Sequence, residues 1–161
     1  VDENSGRIMN TLKSVHFGIA DDLIRHDKKE DAVKVLERAK KEFQYINAPY
    51  YSPNNRFFNI LSVQWIDLYY RAGAAEKAQP IKDLFIKDLK DCIRFYNLPS
   101  NFAALYSNEK KSAEELVKRM DMLALVYKDA AFKKQLNEAF PALVPSGTLD
   151  TTQSAPMQIF R

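Results

Sequence analysis

The residues with the best-known reactive chemistry in this chain are two histidines, one cysteine and two adjacent carboxylate pairs, and their spacing assembles no familiar reaction centre. His16 and His26 stand ten residues apart, which is not a helical ligand spacing, and neither has a cysteine nearby. A zinc site would need further ligands that the sequence does not offer. Cys92 falls on a stripe of apolar residues and reads as a small core side chain. A nucleophilic thiol would need a base and a positive environment, and one cysteine excludes an internal disulfide. Asp21-Asp22 and Glu114-Glu115 are neighbours in sequence. Neighbours on a helix point about 100° apart, so one of each pair faces solvent, whereas a glycosidase pair must flank a cleft. There is no glycine-rich phosphate loop, serine nucleophile elbow or HExxH-type motif. These residues predict a chain that is not itself an enzyme and has no metal or cofactor.

A different chemistry, recognition, is offered by Tyr50, Tyr51, Asn54, Asn55, Arg56, Phe57 and Phe58. Tyr, Asn and Arg combine large amphipathic area with hydrogen bonding, and aromatic faces beside amides also suit sugars. Tyr50, Tyr51, Asn54, Asn55 and Arg56 are the candidate binding residues. The competing reading is that Tyr50 and Tyr51 cover the core while Pro49 and Pro53 shape a connection.

The elements that must position these residues read as helices. Ile8, Leu12, Val15, Ile19 and Leu23 recur at spacings of three and four and define one face of a helix over about 7–26. A second helix, about 29–44, carries Ala32, Leu36, Ala39 and Phe43, with Asp27 or Asp31 as a candidate cap. The loop 45–55 follows. The third helix, about 55–72, is apolar nearly all round and should lie at the centre. Gly73 ends it. A fourth helix, about 75–97, would be bent by Pro80 if it starts that early. A fifth spans about 108–128, capped by Ser107 or Asn108, and a sixth about 129–139. Trp65, Leu68, Tyr69, Leu84 and Phe85 are the expected core.

Two stretches share one pattern: an apolar helix end, a polar turn and an early alanine, over residues 20–32 and 65–78. This is the punctuation of tetratricopeptide-type helix pairs, which usually make binding surfaces. Their alanines, Ala32 and Ala78, are 46 residues apart, against about 34 for the regular repeat. The excess is about the size of the 45–55 loop. The expectation is an all-α fold, an irregular tetratricopeptide-like array of about six antiparallel helices in three pairs. Residues 1–145 form one domain and 146–161 a flexible tail, with Met157, Ile159 and Phe160 able to dock.

Composition narrows the partners. A formal charge of +3 with no Lys/Arg block gives no stripe for nucleic acid. Hydrophobic content of 46% supports a real core, yet no apolar run reaches the roughly 18 residues of a spanning helix. The chain begins at Val1 without a signal-peptide pattern, which reads as a piece of a longer protein or a processed chain.

Three phrases carry a family resemblance: residues 17–24 (FGIADDLI), 47–53 (NAPYYSP) and 62–73 (SVQWIDLYYRAG). They resemble the C-terminal region of a Bacteroidetes family of multi-pass membrane proteins, over about residues 7–145. The membrane part of that family is similar to protein O-mannosyltransferases, which use lipid-linked sugar donors. The resemblance implies that this chain is an appended soluble region on the extracytoplasmic side of the inner membrane, with the glycosyl-transfer site in the membrane part. No position here matches a catalytic residue of such transferases. The function so implied is a non-catalytic interaction domain that binds a protein partner or steadies the membrane part. The alternative is a carbohydrate-binding module presenting an acceptor glycan.

Overall fold

The computed structural model describes residues 3–53, 58–98 and 106–144. Among these the chain is all-helical: α1 (Glu3–Arg25), α2 (Lys29–Glu42), α3 (Ile60–Arg71), a 3-10 turn (Ala75–Ala78), α4 (Gln79–Tyr96), α5 (Ser107–Val126) and α6 (Ala130–Ala139). None of these helices is long and apolar enough to cross a membrane. The expected tail, 146–161, lies outside the described residues.

α3 sits at the centre, packed against α1, α2, α4 and α5. Its all-round apolar sequence leaves Leu61, Val63, Trp65, Ile66, Leu68 and Tyr69 buried, and burial on every side is the only stable environment for such a helix. Phe17, Leu36, Phe85, Met120, Leu123 and Phe132 join them in one hydrophobic cluster. Of the expected core residues, Trp65, Leu68, Tyr69 and Phe85 are buried, while Leu84 is half-buried at the edge.

The turns explain how the helices follow one another. Gly73 adopts φ +75°, as expected. Its N–H bonds to the Tyr70 carbonyl (3.0 Å) and the Ala74 N–H to that of Tyr69 (2.9 Å), which is a Schellman closure. The same closure ends α1 and α5 without glycine. Asp27 takes φ 59° and Lys128 φ 53°; Lys28 N–H reaches the Leu23 carbonyl (2.8 Å) and Asp129 N–H that of Ala124 (2.9 Å). Asp27 therefore does not cap α2: Lys28 is the N-cap without a side-chain bond, and Asp31 pairs with Lys34 inside the first turn. Nor do Ser107 or Asn108 cap α5, whose N-cap is Tyr106. Pro80 does not bend α4, because a 3-10 turn takes residues 75–78 and leaves Pro80 in the first turn of the α-helix, where its missing N–H has no partner to lose.

Candidate functional site

The loop after α2 is fastened to the core. Ser62 Oγ donates to the Tyr50 carbonyl (2.7 Å). Ser52 N–H donates to Asn59 Oδ1 (3.0 Å), and Asn59 Nδ2 donates back to the Ser52 carbonyl (2.9 Å). Asp88 of α4 accepts from the Tyr45 hydroxyl and from the Tyr51 N–H (3.3 Å). The Tyr50 ring stands edge-on to Trp65, with centroids 5.9 Å apart.

Tyr50 and Tyr51 are each 5% exposed. They close the core beneath the loop and leave little area for a partner. Burial, with the Asp88 carboxylate nearby, pushes the Tyr50 hydroxyl up to about 12. Burial also lifts the Asp88 carboxyl above its usual range, against the opposing bonds from Tyr45 and Tyr51. Asn54, Asn55 and Arg56 lie outside the described residues.

A second polar cluster joins α3, α4, α5 and α6. Asp129 accepts from the Phe132 N–H (2.9 Å), which caps α6, and from the Tyr70 hydroxyl (2.5 Å). Buried Lys82 reaches both Asp129 (3.2 Å) and the Tyr70 hydroxyl (3.0 Å), over the Phe132 ring at 4.6 Å. Burial raises the Asp129 carboxyl, but the bonds from Tyr70, Phe132 and Lys82 outweigh it and hold the group below its ordinary value. Nearby, Tyr127 stacks on Tyr70 at 4.5 Å and donates to Asp67 (2.6 Å). Arg71 pairs with Asp21 (2.6 Å), tying α3 to α1. Every polar group here has a partner within the fold, and the cluster locks the helices together.

The reactive side chains are engaged structurally. His16 pairs with Glu42 (3.3 Å) and stands edge-on to Phe43. His26 is exposed beside Asp22. Asp21 is paired inward while Asp22 is 71% exposed, as neighbours on a helix require. Burial, with Asp88 and Asp91 nearby, raises the Cys92 thiol above its usual value, the reverse of an activated thiolate. No group of three or more His, Cys, Asp or Glu among the described residues could hold a metal.

The open surface lies on α1. Ile8 is 62% exposed, Leu12 47%, Val15 52% and Ile19 48%. The spacing of three and four does define one face, but that face points to solvent, except for Leu23, which packs on the core. The inward face is opposite and consists of Asn10, Lys13, Phe17 and Ala20. Beside the outer stripe, the Thr11 hydroxyl is turned onto its own helix and donates to the Arg7 carbonyl (3.0 Å). Sequence periodicity found this stripe but carried no sign of which way it turns.

The chain matches no protein-family model, no curated protein and no solved structure.

Proposed function

We propose that this chain is a non-catalytic interaction module: a tetratricopeptide-like array of antiparallel helix pairs that binds a protein partner through the outer face of α1. The observation that carries this reading is the contiguous stripe Ile8, Leu12, Val15 and Ile19, each about half exposed or more. Single exposed apolar residues are ordinary, whereas four in register on three turns of one helix make a patch of the kind that marks a contact. The repeated Schellman closures after α1, α3 and α5 support the paired array. The proposed parent is a membrane-bound, glycosyltransferase-like protein, with this module on the extracytoplasmic side of the inner membrane. That part rests on the resemblance of residues 17–24, 47–53 and 62–73.

A photoreactive residue at Thr11, introduced in the native host, tests the contact. A crosslinked adduct supports the reading and its absence opposes it. Fractionation with an antibody against this chain tests the parentage: a large membrane band supports it, and a small band free of the membrane removes it.

The second reading is a carbohydrate-binding module. It draws on the exposed rings of Phe95 and Tyr106, whose centroids are 5.8 Å apart. Titration against a glycan panel decides it, and flat curves for the chain would end it.

A further inference from the structure

We propose that the occupant of the outer face of α1 is a second copy of this chain, with the two α1 helices packed antiparallel about a two-fold axis. The inference rests on the interaction reading above and names its partner.

The stripe has the spacing of a coiled-coil seam: Ile8, Leu12, Val15 and Ile19 step by four, three and four, which are alternating d and a positions of a heptad. In an antiparallel pair the layers are mixed. Ile8 meets Ile19 of the second copy, and Leu12 meets Val15. The patch is thus self-complementary, as a two-fold interface requires.

Charge agrees with this orientation. Between Ile8 and Ala20 the only residue with a formal charge at neutral pH is Lys13, which faces inward, and the Glu42 carboxylate of α2 beside this stretch is held by His16 (3.3 Å). Exposed Arg7 stands at one end of the stripe and exposed Asp22 at the other. The antiparallel register brings Arg7 of each copy within a turn of Asp22 of the other, while a parallel pair would set like charges together.

Gly18 supplies an independent observation. It lies on the exposed side of α1, and a Cβ built there meets nothing within 4 Å. Nothing among the described residues requires glycine at this helical position, where it costs stability. In the same register Gly18 faces Thr11 of the second copy, small against small, which lets two helix backbones approach closely. α1 also has its core-facing side, Phe17 and Ala20, opposite the seam, so a helix apolar on two sides gains cover on both.

Two heptads make an interface in the class below about 1,200 Å² that characterises weak association. Sedimentation equilibrium of the full chain, from dilute to high micromolar concentration, should show the mass rising from monomer toward dimer. Val15→Glu should remain monomeric with an unchanged circular dichroism spectrum, since its side chain is in solvent. In a Cys92→Ser background, Ile8→Cys and Ile19→Cys chains should form a disulfide when mixed and not when alone, because like positions lie about 16 Å apart along the antiparallel axis. Monomer at every concentration, a Val15→Glu variant that still dimerises, or like-with-like disulfides would each overturn the proposal. A monomeric chain whose Thr11 crosslink captures a different polypeptide overturns self-pairing and leaves the interaction reading standing. A monomeric chain with no crosslink removes both.

Discussion

Lys13→Met should make this protein more stable at neutral pH. Lys13 is 6% exposed on the inward face of α1. Its ammonium has no carboxylate partner among the described residues, and its nearest aromatic ring is Phe43, 5.8 Å away. Burial alone pushes its pKa down from 10.5 to about 8. At 1.36 kcal/mol per tenfold change in proton affinity, that drop is a penalty of about 3 kcal/mol on the charged form. The Phe43 ring returns about 1 kcal/mol of cation–π attraction, so removing the charge should gain about 2 kcal/mol, or roughly 5 °C in Tm for a chain of this size. The pH dependence has a definite sign. Below pH 8 the folded state carries the penalised charge in full. Between about 8 and 10.5 the folded state sheds the proton while the unfolded chain keeps it, so wild-type stability rises toward that of Lys13→Met. Urea unfolding of both proteins at pH 7, 8, 9 and 10 measures the difference directly, with the other titrating groups cancelling. Equal stability at pH 7, or two curves that stay parallel to pH 10, would refute this view of Lys13.

Three further substitutions separate structural from surface roles. Tyr50→Ala should cost about 3 kcal/mol, as truncation of a buried aromatic does, seen as a lower urea midpoint. Near-neutral behaviour would return Tyr50 to the candidate contact residues. Asp129→Ala removes the α6 cap and the carboxylate facing buried Lys82, and should cost about 2–3 kcal/mol. Because the Asp129 pKa is depressed in the fold, this loss is full at neutral pH and shrinks as pH falls through the folded value, which acid titration of both proteins will show. Gly18→Ala should raise the stability of the dilute chain by about 0.5–1 kcal/mol, since the added methyl enters open space; a loss would mean that something within the chain already covers that position.

The scaffold was legible where sequence carries the physics directly. α3 declared its central place through apolar residues on every side, and Gly73 marked its end because a left-handed turn favours glycine. Asp27 and Lys128 make the same turn without glycine, so the ends of α1 and α5 left no comparable mark. The start of α4 was misplaced because a 3-10 turn and an α-helix share the local pattern at 75–78. The candidate site was harder to read. Tyr50 and Tyr51 look like contact residues in a loop rich in proline and asparagine, and only the bonds from Ser62 and to Asp88 show that the loop folds back on the core. On α1 the inward face includes the polar residues Asn10 and Lys13, while the apolar stripe that sequence spacing defines faces outward. Periodicity reports that a face is apolar; it does not say whether the cover comes from the same chain.

The accessibility of that stripe is the most direct measure of whether it is a contact. With Cys92 replaced by Ser and a cysteine introduced by Leu12→Cys, the alkylation rate can be compared between the dilute purified chain and cells that produce the protein. Contact through this face predicts fast labelling in dilute solution, where residue 12 is about half exposed, and strong protection in the cell. Equally fast labelling in both would contradict an interaction through α1.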